Sequence, residues 1–433
     1  MTRGGGMAAI VLAGIIAACA RTTPSSTKPL PRARASLSWN EVLELQQRRD
    51  YFTLRDRLAS TDSGESLPAR YARALVEHAF NTPAASNRTI TSLVSDPSLA
   101  PALVVQLRKI ELANDVRLYA YAAGLATADV LLRDTTSVPP ADLRDIRNTR
   151  ELVRALATVP PQVVTIRGPS TIHLREGRAT VQIGDSSRDY AFDTGANLST
   201  IMRSEATALG LRFFPSALDV GTSTDRHVTA DLAVADRLVL GNAEYRHVVF
   251  LVLDDSLLTF PGGFRIPGLI GFPVIAQLGE VQFSKGEVTI PAMPTIRYER
   301  NLELDELTPL TRVRWMTSTD SSELLCRLDT GADRTQFYEP FFRRFQKRLE
   351  HAPERTRHSG GAGGVRDLPA RLLSQVRLAL GDTVVTLDSS DVLTRSITRD
   401  STENYLDCNI GHDVFDQFSR TIVDFRDMAF LLR

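Results

Sequence analysis

Two aspartates, each inside nearly the same short motif, are the residues of this sequence best suited to chemistry. The chain reads YAFDTGANLS around Asp193 and CRLDTGADRT around Asp329, so both copies follow the pattern apolar-Asp-Thr-Gly-Ala-[Asn/Asp]-x-[Ser/Thr]. Each copy is followed by a second element ending in glycine, at residues 269–271 (Leu-Ile-Gly) and 409–411 (Asn-Ile-Gly). The two aspartates are almost as far apart as the two later glycines, which indicates a long internal duplication.

A pair of carboxyl groups brought together by these motifs would suit acid–base catalysis. A strand ending in Asp-Thr-Gly places a carboxylate on a tight turn that glycine permits. If the turns face each other, Asp193 and Asp329 share one proton, because like charges that close cannot both ionise. The ionised partner draws a proton from a water that attacks a peptide carbonyl, and the protonated partner donates to the developing oxyanion. The hydroxyls of Thr194 and Thr330 can hydrogen-bond across the pair.

With these residues the sequence resembles the aspartic peptidases, and in detail the retropepsin-like branch. Each lobe of those enzymes carries Asp-Thr-Gly-Ala-Asp-x-Thr and then an apolar-apolar-glycine element. The resemblance covers about residues 163–433 and implies an endopeptidase with a polypeptide substrate and no cofactor or metal. It implies these roles: a catalytic dyad of Asp193 and Asp329, supported by the turn residues Thr194, Gly195, Thr330 and Gly331.

Two positions depart from the family pattern, and two alternatives stay open. Asn197 replaces the usual acid in the first copy, and Asn409 replaces an apolar residue before Ile410. One alternative is a pair of β domains whose Asp-Thr-Gly turns never meet. The other is that lobes pair between chains, because retroviral enzymes assemble the site from two identical chains. Two lobes in one sequence favour a site formed within one chain.

In retropepsin lobes a hairpin between the aspartate and the later glycine covers the cleft, and each half of this sequence offers a candidate. The first contains Gly221 and Thr222. The second, residues 359–364, contains Gly361 and Gly363 and is far richer in glycine. We expect the second to be the mobile lid. The alternative for this segment is a flexible surface loop.

The first 36 residues predict export and attachment to a membrane. A basic start and a short apolar run over residues 7–18 are typical of a secretory signal, and residues 16–19 (Ile-Ala-Ala-Cys) resemble the bacterial lipobox. This predicts a signal peptide over 1–18, acylation of Cys19, and a flexible tether over 19–36. Acyl chains would hold the protein in the cell envelope, at the outer membrane on its periplasmic or surface side. The alternative is a plain signal peptide in which Cys19 is incidental.

The other two cysteines suggest a disulfide. Cys326 lies three residues before Asp329, and Cys408 lies three residues before Gly411. In the resembled fold these two segments run side by side, and an oxidising compartment permits a bond between them. The alternative is two small buried thiols.

The elements that would position these residues divide the chain into a helical part and a β part. Residues 37–160 have helical apolar spacing and predict five to seven short helices in antiparallel pairs, loosely like a tetratricopeptide (TPR) array, with a surface for a protein partner. After two prolines the period changes to two, which predicts one lobe over 161–294 and another over 295–433. The predicted fold class is α + β and multidomain. It comprises an N-terminal α-helical hairpin or TPR-like module and an all-β, two-lobed acid-protease domain, a retropepsin-like pseudodimer.

Composition excludes several other classes. The chain has 433 residues, with 51 basic and 51 acidic side chains, and lacks the basic excess of a nucleic-acid-binding protein. The seven histidines show no zinc-ligand spacing, and no Gly-x-Ser-x-Gly motif indicates a serine hydrolase. The alternative function is a catalytically inactive peptide-binding lipoprotein that retains the protease cleft.

Overall fold

The computed structural model of the chain describes residues 36–61, 65–136, 138–221, 227–293, 300–361, 363–396 and 405–433. Within these residues helices come first and a large β-rich region follows, as predicted. The predicted signal peptide, Cys19 and the tether up to residue 35 lie outside the described residues, as does Thr222.

Seven α-helices occupy the described part of residues 39–156. The first two begin at side-chain caps, because the Ser38 hydroxyl accepts from the Glu41 amide and the Asp50 carboxylate accepts from the Thr53 amide. No helix among the described residues is long and apolar enough to cross a membrane. The helices are α1 (Trp39–Gln47), α2 (Tyr51–Ala59), α3 (Leu67–Ala79), α4 (Pro83–Val94), α5 (Pro101–Arg117), α6 (Tyr121–Arg133) and α7 (Pro140–Leu156).

The first half of the β region runs from residue 163 to residue 290. Its described strands all belong to one large sheet, in which the long hairpin of residues 212–240 forms one end. Its elements are β1 (Val163–Ile166), β2 (Ser170–Arg175), β3 (Arg178–Ile183), β4 (Ser186–Phe192), β5 (Ser199–Met202), α8 (Arg203–Ala208), β6 (Arg212–Gly221), β7 (His227–Leu240), β8 (Ala243–Leu253), two short 3₁₀ helices (Asp255–Leu258 and Pro261–Gly263), β9 (Gly268–Ile270), α9 (Phe272–Ala276), β10 (Glu280–Ser284) and β11 (Glu287–Ile290).

The strands of the second half between residues 302 and 410 form a further sheet, with the hairpin of residues 354–380 at one end, and the last two strands of this half join the large sheet. Its elements are β12 (Leu302–Asp305), β13 (Thr308–Met316), β14 (Ser321–Leu328), β15 (Gln336–Phe337), α10 (Glu339–Arg344), α11 (Gln346–Leu349), β16 (Glu354–Gly361), β17 (Gly364–Leu380), β18 (Thr383–Leu393), β19 (Cys408–Ile410), α12 (His412–Phe415), β20 (Thr421–Asp424) and β21 (Ala429–Leu432).

The strands that carry the two aspartate motifs are paired in the same way in both halves. In the first half β4 is parallel to β9, and β5 is antiparallel to β9 and parallel to β8. In the second half β14 is parallel to β19, and β15 is antiparallel to β19 and parallel to β18. Each motif therefore begins where a strand ends, beside the strand that leads to the later glycine.

A shared sheet and a shared core join the two halves. The β10–β11 hairpin of the first half pairs with the β20–β21 hairpin of the second, with Val281 opposite Val423 in antiparallel register. The rings of Phe283 and Phe415 stack beside this junction, 6.0 Å apart. Because this core is continuous across both halves, it holds the two aspartate motifs in a defined mutual position.

The helices contact both halves of the β region. Asp50 forms an ion pair with Arg312 of β13 at 2.7 Å, and the Asn81 side chain donates to the carbonyl oxygen of Phe425. On the first half, the Tyr119 hydroxyl donates to the carbonyl oxygen of Pro273 at 3.0 Å. The helical part therefore bridges the two halves rather than extending from one of them.

Candidate active site

Thr194 and Thr330 hold the two Asp-Thr-Gly turns face to face. The backbone amide of each threonine donates to the hydroxyl oxygen of the other, at 3.0 Å in both directions. Each hydroxyl also donates to a carbonyl oxygen of the opposite half, Thr194 to Leu328 and Thr330 to Phe192, at 3.0 Å. Both threonines are buried, so these four bonds form a dry link between the halves.

This link brings the two carboxyl groups together. Oδ1 of Asp193 accepts from the Gly195 amide at 2.7 Å, and Oδ1 of Asp329 accepts from the Gly331 amide at 2.9 Å. The carboxyl of Asp193 also forms a hydrogen bond with that of Asp329. The structure thus places all six dyad and turn residues of the sequence analysis at one point between the halves.

The glycines of the two turns serve a different purpose from the one expected. The Asp-Thr-Gly pattern predicts that Gly195 and Gly331 provide backbone freedom, but neither has a positive φ. A Cβ atom on Gly195 would lie 2.5 Å from the carboxyl carbon of Asp329, and one on Gly331 would lie 2.5 Å from Oδ1 of Asp193. The glycines are therefore required because the opposite carboxyl occupies the space of a side chain.

The last position of each motif ties the turn to the later glycine. The Gly271 amide donates to the Ser199 hydroxyl at 3.0 Å, and the Gly411 amide donates to the Thr335 hydroxyl at 3.2 Å. A Cβ atom on Gly271 would come within 2.6 Å of the Leu198 carbonyl carbon, so only glycine fits there. The role of these two hydroxyls was not predicted, although their place at the end of both motifs was a signal.

Burial and a neighbouring charge change the acidity of the pair. Burial raises the pKa of Asp193, the negative charge of Asp329 raises it further, and the nearby Arg327 guanidinium opposes both effects. The resulting pKa of Asp193 is about 7. Asp193 therefore keeps its proton throughout the acidic range, as a proton-donating partner in a dyad must.

Two further polar side chains contact Asp329, whereas the residues at the matching places beside Asp193 are apolar. Nη2 of Arg327 donates to Oδ2 of Asp329 at 3.1 Å, and Nδ2 of Asn409 donates to the same oxygen at 2.9 Å. From the sequence, Asn409 was only a departure from the family pattern, and Arg327 was not singled out. Aligning the two motif copies would have found both, because the first copy has Ala191 and Leu269 at these places.

The two flap candidates end up in different surroundings. Gly221 closes β6, in a hairpin that packs against α7, where the Asn148 side chain and the Asp219 backbone exchange two hydrogen bonds of 2.9 Å. Gly361 closes β16, and the amide of Gly363 donates to the carbonyl oxygen of Leu257 in the first half at 3.0 Å. The second hairpin thus reaches across to the opposite half, and its role as a mobile lid stays a prediction.

A disulfide lies directly behind the second aspartate. Cys326 and Cys408 are bonded, and they are register partners in the parallel pair of β14 and β19. The next pair in the same register is Arg327 and Asn409. The bond therefore fixes the two strands whose following residues contact Asp329. Among the described residues no cluster of His, Cys, Asp and Glu could hold a metal ion.

A family model matches part of the first half of the β region. Residues 179–274, which include the first aspartate motif and Gly271, match the aspartyl protease family. The predicted resemblance to retropepsin-like aspartic peptidases is confirmed. A retropepsin-like aspartic protease from Rickettsia conorii is similar at 17% identity, over 30% of this chain and 93% of that chain, with a TM-score of 0.22. At that level of likeness no activity transfers from one protein to the other. None of the curated proteins compared matches the chain.

Proposed function

We propose that the protein is an aspartic endopeptidase whose dyad, Asp193 and Asp329, forms within one chain. The observation that carries the proposal is the four-bond threonine link, which makes two turns from one chain face each other with their carboxyls in contact. The identical strand pairing around both turns supports the description of the β region as a retropepsin-like pseudodimer.

Hydrolysis by such a pair proceeds in two balanced steps. In the first, the ionised carboxyl removes a proton from water, the water oxygen bonds to the peptide carbonyl carbon, and the protonated carboxyl gives its proton to the carbonyl oxygen. In the second, the first carboxyl returns its proton to the amide nitrogen and the C–N bond breaks. The other carboxyl recovers a proton from one of the two hydroxyls on the carbon, so the dyad ends as it began.

A second candidate function is a peptide-binding protein that keeps the cleft without cleaving. The observation that favours it is the state of Oδ2 of Asp329, which already accepts from Arg327 and Asn409. A water molecule that is to lose its proton to this oxygen competes with two donors. A binding protein needs no such water, and the same cleft would hold the peptide intact.

One experiment separates the two functions. The full chain is incubated with a diverse peptide mixture from acidic to neutral pH, with and without pepstatin, and the products and the bound peptides are identified by mass spectrometry. An endopeptidase yields new internal termini that pepstatin suppresses. Peptides recovered intact from the protein, with no new termini at any pH, would instead support the binding protein.

We also propose that Cys19 is acylated and anchors the protein in the cell envelope. The proposal is supported by the lipobox-like residues 16–19 and the polar segment that follows them. In a detergent phase-partition assay the full chain should enter the detergent phase, and Cys19→Ser should move it to the aqueous phase. Equal partitioning of the two proteins would contradict acylation at this residue.

A further inference from the structure

We propose that Arg327 and Asn409 are positioning residues that hold Asp329 as the carboxylate, so that Asp193 is the partner that carries the shared proton. This inference deepens the proposed function and rests on it for its catalytic meaning. The statement about which carboxyl is ionised, however, can be tested without any substrate.

The hydrogen bonds around Asp329 are those of an ionised carboxyl group. Its Oδ1 accepts from the Gly331 amide, and its Oδ2 accepts from Arg327 and Asn409. An arginine side chain has only donors and stays protonated, so it needs an acceptor here. A carboxylate satisfies all three donors, whereas a carboxylic acid would present its own proton to one of them.

The orientation of the Asn409 side-chain amide also indicates that Asp329 is ionised. Its Nδ2 contacts Asp329, while its Oδ1 is buried and has no hydrogen-bond partner. Rotating the amide by half a turn would place Oδ1 against the carboxyl oxygen and repel it if Asp329 is ionised. A buried acceptor without a partner costs free energy, and the contact of Nδ2 with a charged acceptor offsets that cost.

The first half of the same chain provides an internal comparison. Arg327 and Asn409 are register partners across β14 and β19, and the corresponding partners across β4 and β9 are Ala191 and Leu269. Neither alanine nor leucine can donate a hydrogen bond to Asp193. The carboxyl of Asp193 interacts with the Gly195 amide and with Asp329. Two side-chain differences therefore distinguish the immediate surroundings of the two carboxyl groups.

The charged groups around the two carboxyls favour an ionised Asp329 and a protonated Asp193. Nη2 of Arg327 also donates to the carbonyl oxygen of Gly195 at 3.1 Å, so the guanidinium lies between the turns. Two further titratable side chains contact the second motif: Nε2 of His412 is 3.0 Å from the carbonyl oxygen of Thr330, and Oδ1 of Asp413 accepts from the Thr335 amide at 2.7 Å. Burial and the charge of Asp329 together raise the pKa of Asp193 despite Arg327. This is the result expected if Arg327 serves chiefly to keep Asp329 ionised.

The inference assigns a role to each carboxyl in the proposed reaction. Asp329 removes the proton from water, and Asp193 donates its proton to the carbonyl oxygen of the substrate. Both states coexist as long as Asp193, whose pKa is about 7, keeps its proton beside the ionised Asp329. Cleavage should therefore extend from acidic pH to near neutrality and fall as Asp193 loses its proton.

The test compares carboxyl titrations in the full chain labelled with ¹³C at the aspartate carboxyl carbons. Difference spectra against Asp193→Asn and Asp329→Asn identify the two resonances. In the wild type Asp329 should stay ionised across the acidic range in which the protein is folded, and Asp193 should titrate near neutrality. Arg327→Ala combined with Asn409→Leu gives the second half the side chains of the first half. In this variant the lower of the two titrations should rise by about one pH unit or more.

Matched single variants separate charge from packing. Arg327→Lys keeps the charge, and Arg327→Gln keeps a donor of similar length without it. The lysine variant should retain the low titration of Asp329, and the glutamine variant should raise it. If Arg327 had a purely structural role, the titration of Asp329 would change equally in the lysine and glutamine variants, which would overturn the proposal. These two variants decide the question if the double variant does not fold. His412→Gln should leave the titration of Asp193 in place, because the proposal assigns that titration to the dyad.

The result that would overturn the inference is an unchanged lower titration in the folded double variant, or a wild type in which Asp193 ionises first. These outcomes are independent of peptide cleavage. Titrations as expected in a protein that cleaves nothing would contradict the proposed function alone. If the protein cleaves peptides but its carboxyl titrations are the same in the wild type and in the double variant, this inference alone is contradicted.

Discussion

Asp193 is buried next to a second carboxyl group, and both circumstances raise its pKa, to about 7. In the unfolded chain an aspartate titrates near pH 4. Between these two values the folded state holds a proton that the unfolded state has lost. The stabilising contribution of Asp193 is therefore complete below about pH 4 and is lost as the pH rises toward about 7.

This linkage predicts the behaviour of Asp193→Asn. The variant cannot lose a proton at this position, so its thermal stability should fall less than that of the wild type between about pH 4 and 7. The scale is about 1.4 kcal/mol for each unit of pKa displacement. Thermal unfolding followed across this pH range measures the difference. Asp185→Asn, at an exposed turn of the same half, should keep the wild-type pH dependence. Parallel curves for Asp193→Asn and the wild type would contradict the raised pKa.

At the scale of elements, the two hairpins that contain the flap candidates differ in how they are held. The β6–β7 hairpin packs on α7, where Leu218 joins an apolar cluster with Val153 and Leu156. Asn148 adds two hydrogen bonds to the backbone of Asp219. The β16–β17 hairpin instead reaches the first half near its tip, through the amide of Gly363. The helical part therefore restrains one hairpin, whereas the other contacts the opposite half of the β region.

Removing the Asn148 side chain should release the restrained hairpin. In Asn148→Ala, backbone amides of β6 and β7 near the tip should exchange with deuterium faster, while those of β16 and β17 keep their wild-type rates. The loss of two hydrogen bonds should lower the free energy of unfolding by about 1–2 kcal/mol. Arg147→Ala, at an exposed position of the same helix turn, is the matched control and should change neither hairpin. Unchanged exchange in Asn148→Ala would show that the apolar contact alone holds the hairpin.

Parts of this arrangement could be predicted because they correspond to a periodic or repeated pattern in the sequence. The helical period and the cap at Ser38 mark the helices, and the duplicated motif marks Asp193 and Asp329. The hydrogen bonds between Asn148 and Asp219 correspond to no such pattern, since they join two single residues on different elements. An alignment of the two motif copies singles out Arg327, because the first copy has Ala191 at that place, but only the structure shows the carboxylate that Arg327 faces.

On the scale of the whole molecule, one chain encloses the candidate site. The central sheet joins both halves through β10 and β20, the threonine link joins the turns, and the helices contact both halves. A site assembled between two chains would need these contacts to open and form again with a partner. The structure therefore favours a complete site in a single copy.

The most direct test of this account is the peptidase activity of Asp193→Asn, of Asp329→Asn and of an equimolar mixture of the two. An amide can neither accept the proton of water nor donate one as a carboxylic acid does, so each variant should lose cleavage completely. The exposed Asp185→Asn variant should cleave as the wild type does. The mixture should also be inactive, because each chain would contain one defective half of its own site. Full cleavage by either single variant would contradict the dyad, and activity restored in the mixture would contradict a site formed within one chain.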